Sequence, residues 1–135
     1  MAATATYDKV TGNIQVSVTP VFLIDRSHPE DNYYVWAYEV RIENLGTRTG
    51  TLRNRHWRIT DASGNTEVVD GEGVVGEQPV LHPGDIYEYT SGTPLSTPSG
   101  IMVGSYDMES EEGALFAVDI PAFSLDSPHE MSPLH

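Results

Sequence analysis

The segment Asp70-Gly71-Glu72-Gly73-Val74-Val75-Gly76-Glu77 carries the most recognisable chemistry in this sequence. Its glycines have the spacing G-x-G-x-x-G. That pattern holds a pyrophosphate when a helix opens inside it and turns free backbone amides toward the ligand. The residues that follow argue against such a helix. Glu77-Gln78-Pro79-Val80-Leu81-His82-Pro83-Gly84 contains two prolines, and each would remove a helical hydrogen bond and clash with the preceding turn. Asp70, Glu72 and Glu77 also surround the glycines with negative charge, which opposes a phosphate. Two readings stay open. The glycines supply positive φ and close packing in a connection between strands, or they form a backbone nest for an anion with arginine side chains folded over it.

A second constellation is Arg53-Asn54-Arg55-His56-Trp57-Arg58. Positive charge beside an aromatic ring suits a nucleotide or another anion. The competing reading puts Trp57 in the core, with the arginine stems covering apolar surface and their heads paired to nearby carboxylates. The candidate ligand-binding set is therefore Gly71, Gly73 and Gly76 with Arg55 and His56. A candidate set for a hard cation, Mg²⁺ or Co²⁺, is Asp70, Glu72 and Glu77, although their spacing matches no known metal loop. His28, His56, His82, His129 and His135 are scattered and contain no H-x-x-x-H pair. There is no G-x-S-x-G and no cysteine, so neither a serine elbow nor a thiol nucleophile is expected, and no cofactor beyond those two metals. A non-enzymatic role is expected.

These residues must be positioned by strands. Ile14 to Thr19 alternates apolar and polar residues, and Val21 to Ile24 continues it after Pro20, where a bulge or bend is predicted. Ser27 to Asn32 reads as a polar loop. Tyr33 to Ile42 puts Trp36, Tyr38, Val40 and Ile42 on one face, the predicted centre of the core. Strict alternation over Thr51 to Thr60 puts Leu52, Asn54, His56 and Arg58 on one face and Arg53, Arg55, Trp57 and Ile59 on the other. Asp61 to Asn65 reads as a tight turn leading back into Thr66 to Asp70 as a hairpin. Gly71 to Gly84 reads as a long irregular loop, Asp85 to Thr90 as a strand and Ser91 to Gly100 as another loop. Ile101 to Met108 and Ala114 to Ile120 are expected to form a last hairpin, with Phe123 and Leu125 as a possible extension of its second strand; the polar end from Ser127 to His135 is expected to fray. About seven such strands, with 12 Gly and 9 Pro between them and no helical period, predict an all-β chain folded as a two-sheet antiparallel sandwich of the immunoglobulin/fibronectin type III-like class.

The 135 residues suffice for one domain, 1–135, with an ordered core over roughly 9–126. The net charge of −13 favours solubility and opposes nucleic acid and anionic membranes. The start, Met-Ala-Ala-Thr-Ala-Thr-Tyr-Asp, is neither basic nor apolar, so no signal peptide is expected. No apolar run has the length of a membrane span, and the expected location is cytoplasmic.

The segments Arg55-His56-Trp57-Arg58-Ile59-Thr60-Asp61-Ala62-Ser63-Gly64 and Glu67 through Pro79, followed by Pro83-Gly84, Tyr89-Thr90-Ser91-Gly92, Thr97-Pro98-Ser99-Gly100 and Ile120-Pro121-Ala122-Phe123, resemble the signature of the ApaG family in order and over most of the chain, from about Val16 to Leu125. Thr47-Arg48-Thr49-Gly50 is less hydrophobic than usual there. The resemblance implies a fibronectin type III-like sandwich. It also implies an association, under the name CorD, with cobalt resistance and magnesium efflux, and a role in protein recognition like that of related modules in larger proteins. The expected function is therefore binding of a protein partner, or of a second copy of the chain as a homodimer. The alternative is a small-ligand module for a divalent cation or a phosphate- or pyrophosphate-containing molecule.

Overall fold

Alternating burial along the chain is what sorts these residues into strands, and the computed structural model, which describes residues 5–129, contains nine of them. They are β1 (Tyr7–Thr11), β2 (Ile14–Phe22), β3 (Tyr34–Asn44), β4 (Gly50–Asp61), β5 (Thr66–Glu72), β6 (Val80–Leu81), β7 (Ile86–Leu95), β8 (Gly100–Ser110) and β9 (Leu115–Leu125). One antiparallel sheet has the order β1-β2-β3-β7, the other β5-β4-β8-β9, with the short β6 beside the start of β4. The two pack face to face as the expected all-β sandwich. Seven strands were predicted. The two additional ones are β1, whose Asp8-Lys9 shows little alternation, and the two-residue β6.

The core follows the predicted face of β3. Trp36, Tyr38, Val40 and Ile42 are buried against Ile14, Val16 and Val18 of β2 and against the inner face of the second sheet. Tyr38 and Trp57 meet edge to face across the interlayer, with ring centroids 5.3 Å apart, and Phe123 stands 6.0 Å from both. Each such ring contributes roughly 1.5–3 kcal/mol by leaving water.

Four local expectations are corrected. First, β2 runs through Pro20 with unbroken register to β3, without a bulge. Leu23 N–H donates to Val35 O, so by alternation position 20 faces away from β3, on the side where β1 has already ended at Tyr7. The missing N–H of proline costs the ladder nothing there. Second, β4 does not alternate strictly. Its register to β8 shifts between Leu52 and Asn54, so that Leu52, Trp57 and Ile59 all point inward despite their mixed parity. Third, Ser91 to Leu95 is not loop. β7 continues through it, paired with Tyr34 to Tyr38, and Thr93 is buried. Fourth, the supposed irregular stretch from Gly71 begins as the end of β5 and includes β6.

The polar loop over Ser27 to Asn32 holds the chain with a short 3₁₀ turn at Pro29–Asp31, preceded by another at Ile24–Arg26. The end expected to fray is tied down as far as His129. Ser127 Oγ donates to Pro98 O at 2.6 Å, and the His129 ring packs on Phe22 and Tyr34. The remainder of that expectation, residues 130–135, and the start, 1–4, lie outside the described residues.

Candidate functional site

Each glycine of the G-x-G-x-x-G segment has its own geometric task. Gly71 pairs with Arg55 across the β4–β5 ladder, and a β-carbon on it would lie 2.8 Å from the Arg55 guanidinium nitrogens. The guanidinium therefore rests on the bare strand at Gly71. It donates through Nη1 to the backbone oxygens of Glu72 and Gly73, both at 3.0 Å. Gly73 has φ +66°, and a β-carbon there would overlap the Glu77 carbonyl. Val74 and Glu77 exchange both backbone hydrogen bonds, at 2.8 and 2.9 Å, around Val75 with φ 43° and Gly76 with φ 84°. Two positive φ values in succession make this a type I′ turn, the tightest way to reverse a strand pair. No helix begins in the segment, as predicted from the prolines.

The turn closes one mouth of the sandwich, between the edge strands β5 and β7. Val74 is 1% exposed and plugs the core, whereas Val75 is 55% exposed at the tip. Beneath it lies a cleft of about 200 Å³ lined by Tyr38, Arg55, Trp57, Val74, Tyr89 and Ser91. Burial pushes the Tyr38 hydroxyl pKa up, while a hydrogen bond with Ser91 and the positive charge of Arg55 pull it back. Tyr89 hydroxyl is bonded to that of Tyr106 behind it, and burial raises both. Glu77, at the far side of the turn, accepts from Tyr87 Oη at 2.6 Å and ties the hairpin to β7.

Arg55 is the notable cation. Arg41, Arg48 and Arg53 pair with Glu43, Glu112 and Glu109, and Lys9 with Asp119. The competing sequence reading, arginines satisfied by local acids around a buried Trp57, thus holds for Arg53. Arg26 and Arg58 are exposed. Arg55 alone, among the described residues, is a partly buried cation with no carboxylate partner. A larger and more open concavity, about 540 Å³, lies over the outer face of β2, β3 and β7, but its cation, Arg41, is already paired. The Arg55 cleft is the better candidate.

The fold brings Arg55, Gly71, Gly73 and Gly76 together and sends His56 to the opposite, outer face of β4. There Nδ1 meets Asp70 Oδ1 at 2.7 Å and Nε2 meets Asp107 Oδ2 at 2.8 Å. The cation candidates do not converge: Asp70 engages His56 and Glu77 engages Tyr87. Among the described residues no group of three or more His, Asp or Glu is placed to hold a metal ion.

Residues 24–110, well over half of the chain, match the family model described as the ApaG domain. The chain belongs to the ApaG domain family. It is 63% identical over 129 residues to Protein ApaG of Paramagnetospirillum magneticum, covering 96% of this chain and 99% of that one. It is 59% identical over the same length, with the same coverage, to Protein ApaG of Parvibaculum lavamentivorans. A crystal structure of a Bordetella pertussis protein described as ApaA superposes with a TM-score of 0.83 at 46% identity, covering 87% of this chain and 95% of that one. No helix among the described residues of this ApaG chain is long and apolar enough to cross a membrane.

On the outer face of the β5-β4-β8-β9 sheet of the ApaG domain, His56 clamps β5 to β8 across β4. Hydrogen bonds donated by the imidazolium to Asp107 first, then to Asp70, raise the His56 pKa above its ordinary 6.5, and the His56 bond lowers that of Asp107 below its ordinary 3.8. A raised histidine stabilises fully below its unfolded value and loses that contribution as pH rises through its folded one. A lowered carboxylate stabilises above its unfolded value and loses that as pH falls through its folded one. The clamp therefore contributes most between about pH 4 and 6.5. Thermal melts of the native chain and His56→Gln should differ most in that window, with the gap narrowing above neutral pH. A constant gap up to pH 9 would contradict the clamp.

Sequence reasoning missed Tyr38, Tyr89, Ser91 and Val75 as site residues and Asp107 as a partner of His56. Tyr38 was assigned to the core by its period, correctly, but a tyrosine on a core face carries a hydroxyl that needs a neighbour. Val75-Gly76 carried a signal too: a turn needing two positive φ values favours Asn or Gly at its first position, so valine there is anomalous.

Proposed function

We infer that this ApaG domain is a non-enzymatic binding module whose ligand is a protein, docked at the hairpin tip and the Arg55 cleft. One observation supports the reading above others. Val75 is β-branched, sits at φ 43° and exposes its side chain. Such a conformation costs on the order of 1–3 kcal/mol, and a valine with 55% of its surface exposed recovers little of it by packing. Residues held in this way cluster where a surface is used. The cleft beside it is smaller than the roughly 300–1,000 Å³ of small-molecule sites, so it suits one anchoring group of a larger partner. The association with cobalt resistance and magnesium efflux would then act through that partner, in the cytoplasm.

Val75→Asn gives the turn its preferred Asn-Gly. It should raise stability by about 1 kcal/mol while abolishing partner capture. Quantitative affinity purification from cells, native against Val75→Asn, checks this. Captured proteins unchanged by a variant that melts at a higher temperature would refute it. The alternative, a module for a small anion or a divalent cation, draws support from the unpaired charge of Arg55. Calorimetric titration with pyrophosphate, Mg²⁺ and Co²⁺ separates the two: saturable heat lost in Arg55→Gln would favour the small ligand.

A further inference from the structure

We propose that the outer edge of β7 accepts an extended peptide as an additional strand, and that Arg55 holds a carboxylate of that peptide. The proposal rests on the binding-module reading and names the chemistry of its partner.

Backbone direction along β7 follows from its neighbour. Asn44 N–H donates to Asp85 O and Asn44 O accepts from Gly84, so the even residues of β3 face β7. In the register Val40↔Tyr89 and Tyr38↔Ser91, the odd residues of β7 are then the ones bonded to β3. Glu88, Thr90 and Gly92 turn their N–H and C=O groups outward. Among the described residues none of these groups has a hydrogen-bond partner, and β7 is the last strand of its sheet. Proteins ordinarily blunt such edges with charge, proline or a covering loop, since a free edge is a template for another strand. Here the protection is partial. Pro94 blocks the far end, while the stretch from Glu88 to Gly92 is left open.

The second observation is the charge beside that edge. Tyr89 and Ser91, on this same stretch, turn their side chains into the cleft that holds Arg55. One Arg55 nitrogen, Nη1, is fixed by the two backbone carbonyls of the glycine hairpin. A guanidinium carries five donors in a rigid fork suited to a carboxylate, and the Tyr38 and Ser91 hydroxyls stand beside it. A chain with net charge −13 repels anions at long range. An acidic group must therefore be recognised locally, at a partly buried cation that screening by salt weakens little. The exposed Val75 at the rim offers the adjoining apolar contact. The other sheet's free edge, β5, carries Glu67, Asp70 and Glu72, whose negative charge repels an incoming acid.

The carboxylate comes from an Asp or Glu side chain or from a chain terminus. The test selects, on the full-length chain, from random display peptides of about eight residues, a typical strand length, with C-termini blocked in one arm and free in the other. Selected peptides should carry Asp or Glu at one fixed position in the blocked arm; enrichment confined to the free arm assigns the group to a terminus. Arg55→Gln should weaken the best peptide at least about tenfold, as loss of one partner of a buried charge pair does, with partial retention in Arg55→Lys. Because Arg55 also seats the hairpin, Thr90→Pro is a second variant: it deletes an outward N–H without touching the β3 ladder, and should weaken the peptide similarly. Amide exchange at Glu88, Thr90 and Gly92 should slow when the best peptide is added. No selected peptide, no acidic preference, equal binding by Arg55→Gln, or protection at another edge would each overturn the proposal. If it fails while Val75-dependent partner capture persists, the binding-module reading survives and the strand-addition chemistry does not.

Discussion

Gly73→Ala should lower the unfolding free energy by about 3 kcal/mol, the sum of a positive-φ penalty near 1–2 kcal/mol and an overpacking cost of 1–3 kcal/mol. The overlapping atom is the backbone oxygen of Glu77, which the type I′ turn fixes in place and cannot withdraw. Against a typical total of 5–15 kcal/mol that is a large share. The neighbouring glycines set a graded scale. Gly76→Ala meets nothing in space and carries only its φ penalty, about 1 kcal/mol. Gly71→Ala meets the end of a flexible side chain, so it should barely change stability but displace the Arg55 guanidinium. Urea unfolding of the three variants gives the order Gly73 > Gly76 > Gly71. If the glycines served a phosphate and not the turn, the order would track ligand binding, and Gly71→Ala and Gly73→Ala would be alike in stability.

Gly104→Ala is expected to be the most damaging glycine-to-alanine substitution in the second sheet, costing about 3 kcal/mol or more. Its β-carbon would overlap the His56 carbonyl oxygen and lie 3.0 Å from the Trp57 ring. Gly104 pairs directly with Trp57, at the point where the β8–β9 register also shifts between Met102 and Gly104. No flexible group can yield there: one neighbour is backbone in mid-ladder and the other is a ring clamped between Tyr38 and Phe123. A melting temperature within a few degrees of the native chain's would show that the two strands separate more easily than their pairing indicates.

The sequence conveyed the sandwich because alternation is a local property. Val16-Ser17-Val18 and Trp36-Ala37-Tyr38 announce their faces without reference to anything distant. It conveyed the absence of a helix after Gly76 for the same reason, since Pro79 and Pro83 act on their own neighbours. What stayed hidden depends on partners far along the chain. Ser91 to Leu95 looks like a loop by composition, with Gly92 and Pro94 in five residues, and becomes strand only because β3 supplies the ladder. The ligand set was half legible. Arg55 and the three glycines meet because β4 and β5 are a hairpin, which the turn at Asp61 to Asn65 foretold. His56 was grouped with Arg55 by adjacency, and adjacency on a strand means opposite faces. Its actual partners include Asp107, which is 51 residues away.

The irregularity between Leu52 and Asn54 works like a change of reading frame. Upstream of it even positions are interior, and downstream odd ones are. A regular strand that kept Arg53 would have a single phase and would have to choose which half to satisfy: either Leu52 goes to water, or His56 and Arg58 enter the interlayer while Trp57 and Ile59 leave it. The bulge that absorbs this one surplus residue thus decides which side of the domain receives the titrating clamp and which receives the unpaired guanidinium.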